Sequence, residues 1–419
     1  MLDIKFIREN PEIVKNNCQA RRVNVDLDKL MELDRTYVSL LQAAEKTRAE
    51  RNQVAEDMRL AENKEELVER GKVLKSDLAK QEDELKAVSQ QRTELLMMIP
   101  NLTHPDAPIG PDDAHNKELR QWGEIKKLDK PLDHVALGQK LDILDFERGA
   151  KVAGAKFYFW KGKGALLEQA LIRFAMEYLY KNGFIPMSTP DLAKDEILLG
   201  TGYQPRGSET QIYSIENTDL SLIGTAEIAL GGYHKDEFLK SEQVPLKYVG
   251  LSHCFRTEAG AYGRESYGLY RVHQFAKVEM FVFCAPEQSE ALHLELLKHE
   301  ENIMQALQIP YRVVDICTGD LGGPAYRKYD IESWMWGRND GQGGWGEVTS
   351  ASNCTDFQAR RLNIKIKTED GNQFAHTLNG TGIALSRLPI AILENHQQAD
   401  GTIKIPEALI PYCGFEKIA

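Results

Sequence analysis

The chain has 419 residues, 42% hydrophobic and 27% charged, a balance that supports two or three packed domains and excludes wholesale disorder. Lys plus Arg total 52 against 63 Asp plus Glu, a net charge of −11, so any nucleic-acid partner must be met by local basic clusters rather than by bulk attraction. No apolar run approaches the roughly 18 residues of a membrane span. The amino terminus lacks a secretory h-region, and the six scattered cysteines form no CxxC pair, which suits free thiols in a reducing cytoplasm. Residues 1–26 read as a short helical start, with Glu9-Asn10-Pro11 marking a turn and the proline opening the next helix.

From Leu30 to Ile99 glycine is almost absent and proline is absent. Apolar spacing alternates between three and four residues along Leu30, Leu33, Tyr37, Leu40, Ala44, Thr47, Arg51, Val54 and Met58. A second seam runs Leu67, Gly71, Leu74, Leu78, Gln81, Leu85, Val88, Arg92, Leu95 and Ile99. This is a coiled-coil pattern, and its lapse around Asn63 predicts an antiparallel hairpin of helices over about 27–99. Each helix of about 35 residues would reach roughly 50 Å. Prolines 100, 105, 108 and 111 then mark a linker over 104–115, which bounds a first domain at 1–103 and a second at 116–419.

In the second part, Gly164–Lys181 predicts an amphipathic helix with Leu167, Leu171, Phe174 and Tyr178 as its stripe. The segment 184–190 is extended but carries two prolines, which confine it to a sheet edge or a subunit interface. Strands are expected at Leu246–Glu258, Arg271–Cys284, Glu347–Ser352 and Gln373–Leu378, with few crossover helices between them. The expected fold class is therefore α+β: an antiparallel β-sheet with flanking helices, plus the amino-terminal helical arm.

Several catalytic signatures are missing, among them a GxxxxGK[ST] phosphate loop, HExxH and GxSxG. His253, Cys254, His273 and Cys284 lack the spacing of a zinc site, so no zinc is expected. What stands out is Phe255-Arg-Thr-Glu258, a glycine-rich loop, and Leu269-Tyr-Arg-Val-His-Gln-Phe-Ala-Lys-Val-Glu279. Strand alternation groups Cys254, Arg256 and Glu258 on one face. It likewise groups Arg271, His273, Phe275, Lys277 and Glu279, leaving Val272, Val278, Met280 and Val282 for the core.

These residues resemble motif 2 of the class II aminoacyl-tRNA synthetases, in the form found in the seryl-tRNA synthetase family. The resemblance extends to Gly224-Thr-Ala-Glu227, Tyr329–Trp334, Glu347-Val-Thr-Ser350, Asp356–Arg361, and Thr377–Gly382 running to Arg387, which is similar to motif 3. Residues 183–190 resemble motif 1, the dimer-interface element, and the arm is part of the same likeness. It implies serine activation with ATP and transfer of serine to the 3′ end of serine tRNA, with selenocysteine tRNA left open as a second acceptor. The implied partners are serine tRNA, L-serine, ATP with Mg2+, and a second copy of the chain in a homodimer; neither membrane nor DNA is implied.

The resemblance assigns Arg256 to the α-phosphate and Arg387 to the γ-phosphate as the catalytic pair. Phe275 would stack on adenine opposite Arg387, and Glu258 would read the adenine amino group. Thr257, Arg271, Val272, Val348 and Thr349 complete the ATP contacts, and Glu347 and Ser350 resemble the magnesium pair, which in a regular strand would face opposite ways unless a turn or bulge intervenes. Thr225, Ala226, Glu227, Asn379 and Arg256 would hold serine, with Glu279 and Thr381 on its hydroxyl. Glu279 has a second reading as half of a structural ion pair with Lys277.

The chain departs from the family pattern at Tyr262 and Ser266-Tyr267 in the motif 2 loop, at Asn363-Ile-Lys365, and at Ser386. It also has a longer, glycine-rich stretch over 337–346 where a short Pro-Gly turn is usual, which suits a mobile flap. Pro389 places the start of the motif 3 helix close to Arg387. Two other readings use the same residues: an adenylating paralogue serving a carrier protein, against which the arm counts, and an inactive interaction protein, against which the intact Arg256, Glu258, Glu279, Glu347 and Arg387 count.

Overall fold

The structure, a computed structural model, describes residues 1–61, 63–203, 211–259 and 268–419. The departures at Tyr262, Ser266 and Tyr267 lie outside the described residues. The chain divides into two units, Met1–Leu102 and Thr103–Ala419.

In the first unit, helices α1 (Ile4–Glu9) and α2 (Pro11–Ala20) precede two long helices of equal length, α3 (Leu27–Leu60) and α4 (Glu65–Met98). Pro11 occupies the first turn of α2, where its missing N–H costs nothing. Asp26 caps α3 by accepting from Lys29 N at 2.8 Å. In the turn between the long helices, Asn63 accepts from Glu65 N at 3.2 Å. Every seam residue of both helices is buried or half-buried, so the heptad reading gives the facing sides correctly. At its base the hairpin packs Leu30, Leu96 and Ile99 against Leu2, Ile7, Val14 and Cys18. Asp34, off the seam and buried, receives Arg8 at 2.5 Å and Arg92 at 2.7 Å. Arg92 also lies 4.6 Å above the Tyr37 ring, which explains a cation at a seam position.

The second unit is built on an eight-stranded sheet of β1 (Lys117–Trp122), β2 (Ile185–Ser188), β3 (Leu246–Phe255), β4 (Gln274–Cys284), β5 (Tyr311–Asp315), β6 (Arg327–Met335), β7 (Gly344–Asn353) and β8 (His376–Ala384). Their order across the sheet is β1-β5-β6-β7-β8-β4-β3-β2, antiparallel throughout except for β2 on β3. The proline-bearing segment thus lies on an edge, where a missing N–H is tolerated. Helices α5 (Lys163–Lys181) and α7 (Ser289–Ala306) cover one face, packing Leu171, Leu179 and Leu296 on Val278, Met280 and Val282. On the other face α6 (Ala226–Gly232) packs Ala226 and Leu230 on Phe281. Because β4 is covered on both sides, its inner residues read as nearly continuous burial rather than alternation.

Three expected strand limits are corrected. Strand β3 stops at Phe255 rather than Glu258, and β4 starts at Gln274 rather than Arg271: Arg256 N still donates to His273 O, but His273 N donates to Lys156 O, so the reciprocal ladder bond is lost. The stretch 373–378 is split at Ala375, whose N–H donates to Ile364 O. Gly371–Phe374 joins a small sheet with Lys365–Thr368 and Phe238–Lys240, and His376 opens β8. Of the stretch 337–346, residues 344–346 open β7, and residues 337–343 form a turn secured by hydrogen bonds from Asn339 Nδ2 to Gly343 O at 3.0 Å and from Gly337 N to Glu394 Oε2 at 2.9 Å. Gly341 and Gly343 take left-handed conformations there, at φ +86° and +82°. Helix α8 (Phe357–Leu362) leads into the small sheet, and α9 (Arg387–His396) begins at Arg387 with Pro389 in its first turn.

Candidate active site

Beyond β3 the chain leaves the ladder, and Glu258 takes a φ of +48°, a left-handed conformation uncommon outside glycine. This turn carries Arg256 and Glu258 into a cleft with Val272 and Phe275. Arg256 and Glu258 therefore reach the cleft from a loop, not from a strand face. Val272 also lines the cleft instead of belonging to the core face, since it precedes the first regular residue of β4. The Arg256 guanidinium lies 5.3 Å from the Phe275 ring centre, and its Nε donates to Gly224 O at 3.3 Å. Arg271 sits on the rim, donating to Glu258 Oε2 at 3.3 Å. Thr257 is held through its backbone N–H by Gln211 O at 3.0 Å.

The opposite wall comes from β7 and the start of α9. Pairing of β6 with β7 shifts between Ile331–Thr349 and Glu332–Glu347, so Val348 is the extra residue of a bulge. That bulge cancels half a strand period and lets Glu347 and Ser350 both line the cleft, as a regular strand would not. Val348 and Thr349 line it too, although the Thr349 hydroxyl is committed to Glu300 Oε2 at 2.8 Å. Arg387 meets Glu347 Oε2 at 3.0 Å. Burial opposes the charged form of Glu347, but Arg387 and Lys328 outweigh it and hold the carboxyl down to about 2. Burial likewise opposes the charge on Arg387, and Glu347 more than restores it. The cleft thus holds a permanent carboxylate between permanent cations, an arrangement that can take a polyanion together with a hard cation.

Deeper along the same face, Thr381 of β8 pairs in register with Glu279 of β4, and a second bulge at Gly382 follows. Thr381 lines the cleft, whereas Glu279 is buried behind it at 1% exposure. Lys277, which does line the cleft, meets Glu279 Oε2 at 2.6 Å, so the ion-pair reading of Glu279 holds in this state. Burial pushes the Glu279 carboxyl up to about 7 against the opposing charge of Lys277. Beside it, Thr225 caps α6 by accepting from Glu227 N at 3.3 Å. Glu227 Oε1 accepts from Gln358 Nε2 at 2.7 Å and from Asn379 Nδ2 at 3.1 Å. Burial raises the Glu227 carboxyl above its ordinary value. Ala226 is fully buried and serves as packing under this polar cluster.

Sequence reasoning missed Tyr270, Ser386 and Ala384 in the cleft, and Gln358 and Tyr203 around Glu227. Gln358 lies inside a motif-like stretch, but nothing in its spacing marks its side chain as the partner of a residue so distant in sequence. Lys277 is visible in the sequence as an alternating charge. His253, considered as a metal ligand, bonds Asp191 Oδ2 at 2.8 Å instead, and Cys254 is buried in a small apolar cluster with Val272 and Phe275.

The fold and the cleft define the class. Residues 211–396 match the tRNA synthetase class II core domain shared by the glycine, histidine, proline, serine and threonine enzymes, and residues 1–103 match the seryl-tRNA synthetase N-terminal domain. The serine–tRNA ligase of Treponema denticola is 55% identical over the whole of both chains. A solved seryl-tRNA synthetase from Pyrococcus horikoshii, complexed with ATP, is 41% identical with a TM-score of 0.90, covering 100% of this chain and 99% of its own. A cytoplasmic serine–tRNA ligase from Naegleria fowleri, complexed with AMP, is 32% identical with a TM-score of 0.85, covering 100% of this chain and 98% of its own. The chain belongs to the seryl-tRNA synthetase family.

Proposed function

We propose that this chain ligates L-serine to serine tRNA in two steps at the cleft between β3, β4, β7 and α9. In the first, a carboxylate oxygen of serine attacks the α-phosphorus of ATP, the bond to the bridging oxygen breaks, and pyrophosphate leaves. In the second, the terminal ribose hydroxyl of the tRNA attacks the seryl carbonyl, loses its proton, and AMP leaves. The serine carboxylate is already ionised at pH 7, so the first step needs positioning and charge stabilisation rather than a general base. The observation that carries this reading is the convergence of Arg256, Arg387, Glu347 and Ser350 on one cleft whose floor is Thr381 and Lys277.

Arg256 would hold the α-phosphate and Arg387 the terminal phosphate, with Phe275 under the adenine. Magnesium fits Glu347 and Ser350, since it favours one or two protein oxygens plus phosphate oxygens over an all-protein cage. It would draw charge from the phosphates, and Glu347 is held ionised to receive it. Thr225, Glu227 and Asn379 would hold the serine ammonium, and Glu279 with Thr381 its hydroxyl. The unit over residues 1–102 would supply the grip on tRNA through clusters such as Lys46, Arg48 and Arg51, and the edge strand β2 the contact with a second copy. Serine-dependent ATP–pyrophosphate exchange, run beside charging of serine tRNA, tests the reading. Exchange with serine and charging of serine tRNA are expected; absence of both sinks it, and exchange without charging favours a carrier-protein acceptor.

A further inference from the structure

Tyr270 is a wall between two cavities. On one side lies the cleft with Arg387; on the other is a cavity of about 710 Å³ bounded by Arg338, Trp336 and Ile390. The Arg387 guanidinium lies 4.7 Å from the Tyr270 ring centre and that of Arg338 5.0 Å. Tyr270 also grips the Arg387–Glu347 pair through polar atoms. Its carbonyl accepts from Arg387 Nε at 3.4 Å, and its hydroxyl donates to Glu347 O at 3.3 Å. The long glycine-rich turn makes the outer contact possible. A Cβ on Gly346 would stand 2.9 Å from Arg338 Nη1 and 3.3 Å from Tyr270 Cε2, and one on Gly344 would stand 3.3 Å from Arg338 Cβ. Each guanidinium is attracted to the ring, and a ring held on both sides has little freedom to swing away from Arg387.

We propose that Arg338 is a positioning residue for the nucleotide: it braces Tyr270 from the second cavity, so that the cleft side of the ring and the Tyr270 carbonyl hold Arg387 toward the terminal phosphate. This rests on the assignment of Arg387 to ATP. Arg338 acts at one remove, because it does not line the cleft. It gives the lengthened stretch over 337–346 a task in the reaction.

The test is serine-dependent pyrophosphate exchange with ATP and serine varied separately. Arg338→Ala is expected to raise KM for ATP about tenfold, the scale of one desolvated cation–π contact, while KM for serine and the melting temperature stay unchanged. Arg338→Lys, which keeps a cation over the ring, should recover most of the loss. In an Arg387→Ala background, Arg338→Ala should add almost nothing, since both changes remove one interaction. An unchanged KM for ATP in Arg338→Ala, with a large loss in Arg387→Ala, overturns the brace and leaves the site assignment standing. If Arg387→Ala itself has no effect on ATP use, the site assignment falls and the brace with it. Should Arg338→Ala fold poorly, Arg338→Gln replaces it. A rise in both KM values together with a lower melting temperature means a structural role only and overturns the proposal.

Discussion

The two units follow opposite rules. Along the hairpin one contact repeats: α3 and α4, 34 residues each, keep a 3–4 spacing through most of their length, and every seam side chain is buried or half-buried. In the second unit the cleft forms where repetition fails. Strand β3 ends early at Phe255, Glu258 turns left-handed, Val348 bulges beside Glu347, and Gly382 bulges beside Thr381. A regular strand can offer the cleft every second residue only; each break redirects one more polar side chain to it. Regularity builds the reach of the arm, and irregularity builds the chemistry.

The sharpest way to break this division is at the cleft itself. Arg256→Ala and Arg387→Ala should each lower serine-dependent pyrophosphate exchange by about 10²–10³-fold, the usual cost of deleting one preorganised charge partner. The melting temperature should barely change in Arg256→Ala, which faces the cleft, and should fall in Arg387→Ala, which leaves Glu347 without its ion-pair partner. Near-normal exchange in either variant would separate that arginine from phosphate.

Shortening the arm probes the other side. Arg48 pairs with Glu82 at 2.8 Å, which puts those residues at one level of the hairpin. Replacing residues 45–84 by a short glycine turn therefore keeps the base cluster and the Asp34 network. Exchange should be unchanged and tRNA charging abolished. For every tRNA phosphate that the shortened arm no longer neutralises, the salt dependence of binding should flatten by about 0.7–0.9 in log–log slope. A shortened chain that still charges tRNA would remove the arm from recognition.

A smaller effect is expected from Asp34→Asn, which leaves Arg92 without a carboxylate beneath it. Breaking a buried pair costs about 3–5 kcal/mol. Because the Arg8 side chain is 43% exposed and can return to water, about 2 kcal/mol is expected here. The destabilisation should appear in urea unfolding of the first unit while exchange is retained.

How much is legible in the sequence follows the same division. The hairpin, its turn at Asn63 and the edge position of residues 185–188 can be read because each depends on local spacing or on a proline. The bulge at Val348 is foreseeable only as a necessity, from the need to bring Glu347 and Ser350 together. Side-chain alternation misplaces Arg256 and Glu258, since the strand stops where His273 N donates to Lys156 O instead of to Arg256 O, which no pattern of side chains reveals. Gln358 and Tyr203 are invisible because their partnerships with Glu227 span 131 residues in one case and 24 in the other, with no local periodicity to link them.

The finest test concerns Glu279, where ion pair and substrate reading compete for one carboxylate. Its carboxyl is raised from the ordinary 4.5 to about 7 by burial, with Lys277 opposing; Glu227 adds to the rise and Arg256 works against it. A carboxyl raised on folding binds its proton more tightly in the folded chain. Its contribution to stability is therefore fully present below about 4.5 and falls away as pH climbs through about 7. Serine binding should run the other way, since only the carboxylate can accept the serine hydroxyl while keeping Lys277 paired. KM for serine should thus fall several-fold between pH 6 and pH 8, over the window in which stability declines. Glu279→Gln removes the titration, so both slopes should flatten, with KM for serine high throughout. Glu279→Ala should in addition narrow the gap between serine and alanine, since a site that hydrogen-bonds a hydroxyl rejects the analogue lacking it by up to about 10⁴–10⁵. If the KM slope persists in Glu279→Gln, another group titrates in the pocket. If alanine stays equally excluded in Glu279→Ala, Thr381 or the pocket's shape reads the hydroxyl and Glu279 serves Lys277 alone.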